Sequence, residues 1–311
     1  MEFFKKRTSI DFMGKRRIWY AISLTLVIAS AVLLAVRGLN LSIDFTGGVV
    51  MEVSFPQDAD IDAVRGALEK SGYGDAVVQS FGTSRDVLIR LLPTEGADIN
   101  AVGQNVLAAL KSYDPAAELR RTEVVGAQVG QELGQQGALA ALFCFLFILA
   151  YVAFRFQWKL GIGAIVAALH DPMIILGVFA ATQMTFDLPT LAAILAIVGY
   201  SINDTVVVFD RIRERFVLTR KGTPVEIVNL AINETLSRTI MTSVTTMITV
   251  LALLLLAGDT LRGFSVALAI GIVVGTYSSI YIASAVALDL KLAARDLLPV
   301  QREKDAVDEM P

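Results

Sequence analysis

Six long apolar stretches set the pattern of this chain, at 18–36, 138–154, 160–180, 188–209, 236–257 and 264–288. Each is close to the ~20 residues that a helix needs to cross a hydrocarbon layer about 30 Å thick. Between the first and second stretches the pattern changes. Residues 49–55 alternate apolar and polar like a strand, and 61–70 place Ile61, Val64 and Leu68 at helical spacing, with Asp58 or Asp60 as a cap. Residues 76–81 and 87–92 read as strands joined by a turn over 82–86. A second helix is expected over 98–110 and a last strand over 118–125. This order, β-α-β-β-α-β, is the ferredoxin-like arrangement. The expected fold is therefore a membrane bundle of six helices with one α+β unit inserted between the first and second.

Composition agrees, with 55% hydrophobic residues and a mean hydropathy of +0.62, too apolar for an ordinary soluble domain. The net charge of −3 matters less than where the charges lie. Lys5, Lys6, Arg7, Lys15, Arg16 and Arg17 precede the first stretch, and the loop after the fourth holds Arg211, Arg213, Arg215, Arg220 and Lys221. Arg155 and Lys159 separate the second and third, while Lys291, Arg295, Arg302 and Lys304 follow the sixth. The loop 182–187 has no basic residue and 258–263 has only Arg262. Positive charges collect on the cytoplasmic side of membrane proteins, so both termini are expected inside and the inserted unit outside. The expected divisions are 1–37 for the N-terminus and first helix, 38–131 for the inserted unit, 132–290 for helices two to six, and 291–311 for a cytoplasmic tail. The first stretch is longer than the core of a signal peptide and no small-residue cleavage site follows it, so it is read as a retained helix.

Covalent chemistry finds little support. One cysteine, Cys144, sits in an apolar run and has no partner for an internal disulfide. The one histidine, His170, is not near a nucleophile elbow. No metal cluster or cofactor is expected.

The polar residues inside the apolar runs carry more information. Asn203 and Asp204 interrupt the fourth run, where a carboxylate costs roughly 2.5–3.5 kcal/mol. Tyr200 and Ser201 share its helical face. Near the start of the fifth run, Arg238 leads a face continued by Thr242, Thr245 and Thr249. Since consecutive crossings are antiparallel, Asp204 and Arg238 come to comparable depth and can pair. Desolvation then opposes the charge on the carboxylate while the guanidinium favours it. Such a site either exchanges a proton or welds two helices as a static ion pair, with the threonines bonding their own backbone. His170 and Asp171 precede Pro172 in the third run, either satisfying the carbonyl that the proline frees or relaying protons. Gly271, Gly275, Ser279 and Ala283 form a stripe of small residues suited to close helix packing.

Two segments carry a family resemblance. Ile43-Asp44-Phe45-Thr46-Gly47-Gly48, and Gly199-Tyr200-Ser201-Ile202-Asn203-Asp204 with the following Asp210-Arg211-Ile212-Arg213-Glu214, resemble the SecD/SecF family of the bacterial Sec protein translocase. Leu236-Ser237-Arg238-Thr239 and the sixth run agree, and length and the single six-helix unit resemble its SecF members. The resemblance implies an RND-type half-bundle completed by SecD, and association with the SecYEG channel, YajC, YidC and unfolded preprotein in the bacterial inner membrane. It implies use of the proton-motive force in export, with Asp204 as the transmembrane acid, Arg238 as its partner and Thr242 on the proton route. Asn203, Ser201 and Thr245 are further candidates. Asp44, Gly47 and Gly48 are the family motif, and the glycines serve either as a hinge or as a fixed turn. Alternatives are an RND-type efflux half-transporter for small molecules or lipids, an intramembrane protease, and a purely structural assembly subunit.

Overall fold

The computed structural model describes residues 8–91, 99–219 and 222–297. Lys5, Lys6, Arg7, Arg220, Lys221, Arg302 and Lys304, most of the expected tail, and the expected helix start at 98 lie outside those residues.

Helix α1 (Arg16–Arg37) follows a segment held by Asn229, whose Oδ1 accepts from the Phe12 and Met13 amides at 3.1 and 3.0 Å. Strand β1 (Asn40–Leu41) and the one-turn helix α2 (Ile43–Thr46) lead into the inserted unit. That unit contains β2 (Gly48–Ser54), α3 (Ile61–Lys70), β3 (Val77–Phe81), β4 (Thr83–Leu91), α4 (Ile99–Tyr113) and β5 (Glu118–Val125). Its sheet runs β3-β4-β2-β5, antiparallel throughout, as the ferredoxin-like arrangement requires. Asp60 caps α3 by accepting from the Asp62 and Ala63 amides. The inward positions Val49, Met51, Val53, Val87 and Ile89 pack on Val64, Leu68, Val106 and Leu110. The expected turn over 82–86 contracts to Gly82, whose φ of 69° reverses the chain so that β4 begins at Thr83 and Phe81 pairs with Thr83.

Six helices are long and apolar enough to cross a membrane. After α1 come α5 (Ala127–Arg155), α6 (Trp158–Thr182), α7 (Leu188–Leu218) and α8 (Pro224–Leu256), with β6 (Thr185–Phe186) between α6 and α7. A short 3₁₀ turn (Asp259–Leu261) precedes the sixth crossing. That crossing is α9 (Arg262–Tyr277), a π-helical segment (Ser278–Ala283) and α10 (Ser284–Asp289), and the short α11 (Ala294–Leu297) follows. Several helices exceed their apolar runs. Helix α8 starts twelve residues before position 236 because Thr223 and Glu226 form a capping box at Pro224, a polar signal that hydropathy does not register. The chain is a multi-pass membrane protein.

In an apolar 18-residue window of each crossing, 50–61% of the residues are buried in α6, α7 and the sixth crossing but 11% in α1, α5 and α8, which separates an inner trio from three outer helices. Glycines let the inner helices close in. A Cβ at Gly271 would meet Ile197 at 2.6 Å, and one at Gly163 would meet the Ala283 carbonyl. The expected stripe is thus a packing surface, apart from Ser279, which also hydrogen-bonds.

The inserted unit is joined to the bundle through a tight knot. Strand β1 pairs in parallel with β6. Asp44 Oδ2 accepts from the Leu188 amide at 3.1 Å and so caps α7. Gly47 and Gly48 have φ of 70° and 123°, and a Cβ on either would overlap backbone, at Ala127 Cα (2.7 Å) and the Leu91 carbonyl (2.2 Å). Only glycine fits both the dihedral angles and the space.

Candidate functional site

Asp204 lies on α7 with 4% of its surface exposed, and its Oδ2 has no hydrogen-bond partner. Arg238 lies roughly four turns into α8. It is exposed on the outer flank, near enough to act on Asp204 through space but making neither a hydrogen bond nor an ion pair with it. The close pair expected from antiparallel crossings is therefore a separated one. The Thr239 hydroxyl, fully buried beside Arg238 in sequence, and the Tyr200 hydroxyl are likewise unpartnered. Asn203 is exposed on the same turn of α7 as Asp204. Thr242 bonds the carbonyls of Arg238 and Thr239, Thr245 those of Met241 and Thr242, and Thr249 that of Thr245. In this arrangement the threonines satisfy their own helix. The flank around Arg238 also exposes Val244, Ile248, Leu251, Leu255 and Leu256.

His170 and Asp171 belong to a second and separate cluster. They do not turn to the carbonyl freed by Pro172. His170 Nδ1 lies 2.9 Å from Asp171 Oδ1, and Asp171 Oδ2 accepts from Ser201 at 2.5 Å and Ser278 at 2.9 Å. Asp171 is fully buried. Ser201 therefore belongs with Asp171, not with Asp204, although it shares the α7 face with the latter. Gly275 makes this contact fit, because a Cβ there would stand 3.0 Å from Ser201 Cβ and 3.5 Å from Asp171 Oδ2. The π segment opens just after Gly275 and aims two successive serines into the core. Ser278 reaches Asp171, and Ser279 lies within reach of the Ser201 carbonyl and the Thr205 hydroxyl. Such π insertions recur at functional sites.

Ser23, Thr205, Tyr277 and Ser278 are members of this cluster that sequence reasoning missed. Ser23 stands in an apolar stretch and Thr205 directly follows Asp204, whereas Tyr277 and Ser278 lie in the hydroxyl run 276–279, which was the one signal that could have found them.

At the far end of α7, ion pairs at 210 and 215 tie it to α5 and α8, and one at 211 lies within α7. Arg155 at the end of α5 pairs with Asp210, Arg211 with Glu214 at 2.9 Å, and Arg215 with Glu234 of α8 at 2.6 Å.

Residues 105–293 match the family described as protein export membrane protein SecD/SecF, C-terminal, and residues 32–59 match the SecD/SecF GG motif. The chain belongs to the SecD/SecF family. It is 49% identical to the protein translocase subunit SecF of Pseudomonas aeruginosa over 97% of this chain and 98% of that protein. Identity to the same subunit of Vibrio alginolyticus is 45%, over 99% and 98%. Among solved structures, SecDF of Thermus thermophilus, titled a translocon-associated membrane protein, matches with a TM-score of 0.83 and 40% identity. The match covers 94% of this chain and 40% of the Thermus chain. SecDF in its super-membrane-facing form matches at a TM-score of 0.65. The GG-motif match contains the Gly47–Gly48 knot, and the C-terminal family region contains Asp204, Arg238, His170 and Asp171.

Proposed function

We propose that this chain is the SecF-type subunit of a bacterial Sec translocase, which works with a SecD-type partner to couple the proton-motive force to protein export. It sits in the inner membrane with both termini in the cytoplasm and residues 38–131 in the periplasm. Asp204 takes up and releases the proton, Arg238 supplies the opposing charge, and Asn203, Thr242 and Thr245 border the route. One observation carries this reading: a carboxyl inside a membrane helix is buried with an oxygen that no donor reaches. A static tie between helices is expected to have its hydrogen bonds made. A group that exchanges a proton needs a free position.

The exposed flank of α8 gives the partner its place. An arginine facing lipid is costly, so a SecD-type half-bundle is expected to cover it, bringing the assembly to SecYEG, YajC, YidC and the emerging preprotein. The energetics are adequate. One proton releases about 2.3 kcal/mol per 100 mV and about 1.4 kcal/mol per pH unit, against roughly 5.5 kcal/mol to invert a two-state population. One or two protons under a strong gradient reach that figure.

The test is preprotein translocation into inverted vesicles with and without an imposed gradient. Asp204→Asn is expected to assemble with the SecD-type partner and keep ATP-driven translocation, but to lose the gradient-driven increment. Arg238→Met should behave alike. A full gradient response in Asp204→Asn vesicles would refute the assignment.

A further inference from the structure

The His170–Asp171 cluster ends in an acceptor that fixes the direction of every hydrogen bond leading to it. Tyr277 OH lies 2.9 Å from the Trp19 carbonyl oxygen and 2.8 Å from Ser23 Oγ. Ser23 Oγ lies 3.2 Å from His170 Nε2. A carbonyl cannot donate, so the Tyr277 hydrogen goes to Trp19. The Tyr277 oxygen then accepts, and the hydrogen it accepts comes from Ser23. The Ser23 oxygen must in turn accept, so Nε2 of His170 carries a hydrogen. The contact between Nδ1 and Asp171 Oδ1 needs a hydrogen of its own. The pair therefore holds two hydrogens, one on Nε2 and one between Nδ1 and Oδ1. A neutral imidazole beside a carboxylate has only one, which would leave a contact empty.

Charge leads to the same count. With two hydrogens the pair is neutral overall, as an imidazolium against a carboxylate. With one it bears a net negative charge in a site where Asp171 is 0% and His170 7% exposed, a costly arrangement inside a membrane. Among the described residues, no lysine or arginine forms a hydrogen bond or ion pair with either member. The titratable groups around them are Tyr277, whose ring centroid is 6.1 Å from that of the imidazole, Tyr281, whose ring is tilted against Tyr277 at 5.4 Å, and Asp204 one turn beyond Ser201.

We infer that His170 and Asp171 form a second proton-carrying site, occupied in this arrangement, whose occupancy is linked to the docking of α1 on α6. The link is Ser23. It alone accepts the Nε2 hydrogen, and it belongs to α1, the helix that runs directly into β1 and the inserted unit. The α1–α6 contact is close, since a Cβ at Gly177 would fall 2.7 Å from Ser30 Cα. Withdrawing α1 removes the acceptor and favours loss of the proton, and by reciprocity loss of the proton loosens α1. The inference deepens the proton-driven reading without using Asp204.

His170 is the one histidine in the chain, so ¹⁵N-histidine labelling reports a single ring. The full chain, carrying an affinity tag free of histidine, is placed in lipid nanodiscs at about pH 8, where a solvated imidazole with a pKa of about 6.5 holds one ring hydrogen. The expected spectrum shows hydrogen bonded to Nε2 together with a hydrogen at Nδ1, the two-hydrogen ring. A bare Nε2 in the wild-type ring, or a neutral ring with hydrogen on Nε2 and a bare Nδ1, overturns the inference. Ser23→Ala, a change too small to threaten the fold, is expected to produce the bare Nε2 signal, and an unchanged ring in that variant overturns the link to α1. Since no export is measured, failure here leaves the Asp204 proposal standing, and failure there leaves this one.

Discussion

Asp171 and Asp204 are carboxyls on adjacent inner helices, 0% and 4% exposed, and their surroundings are opposite. Asp171 accepts from an imidazole and two serines contributed by three helices. Asp204 has an oxygen that nothing reaches, and its nearest cation stands on an uncovered flank. Burial alone thus does not define a proton site. The first acid is built into the fold and the second is left available to a partner or a proton. If that contrast is sound, the two positions should answer differently to the same substitutions.

The widest separation is expected from removing each acid. Asp171→Leu strands one ring nitrogen and two hydroxyls, and breaking a buried pair of this kind costs about 3–5 kcal/mol. Asp204→Leu removes a group without donors, and its effect on stability should stay within about 1 kcal/mol while gradient-driven export is lost. Thermal unfolding of the two purified variants in detergent checks this, and equal losses of stability would erase the contrast.

Glycine positions give a smaller but cleaner separation. Gly275→Ala pushes a methyl against Ser201 and Asp171 and should cost about 1–3 kcal/mol, as overpacking does. Gly199→Ala meets nothing within 4 Å and should gain up to about 1 kcal/mol from helix propensity. A neutral Gly275→Ala in the same unfolding assay would mean that the Asp171 cluster is looser than its distances state.

Single hydroxyls should differ least. Ser278→Ala removes one donor to Asp171 and should cost about 1 kcal/mol. Thr242→Val gives up only a bond to its own helix and should change stability by less than about 0.5 kcal/mol. A loss of gradient-driven translocation in Thr242→Val at unchanged stability would sharpen the assignment of that threonine to the proton route.

The inserted unit was legible in advance because its helices and strands follow local periodicity. Its clearest departure among the described residues, the turn over 82–86, arose where Gly82 alone reverses the chain. Hydropathy located the six crossings but not their ends, since α8 begins at the Thr223 capping box and α5 at Ala127. Sequence also found the acids: a charged residue in an apolar run is conspicuous wherever it points. It could not tell which neighbours each acid has. Ser201 precedes Asp204 by three residues on one helical face yet serves Asp171, and Arg238, expected at the depth of Asp204, makes no bond with it. Spacing along one helix determines which residues share a face. What stands opposite that face depends on rotations and close approaches set by glycines such as Gly275 and by the π segment at Ser278–Ala283. Those are properties of helices packed against one another, and the periodicity of a single helix carries no record of them.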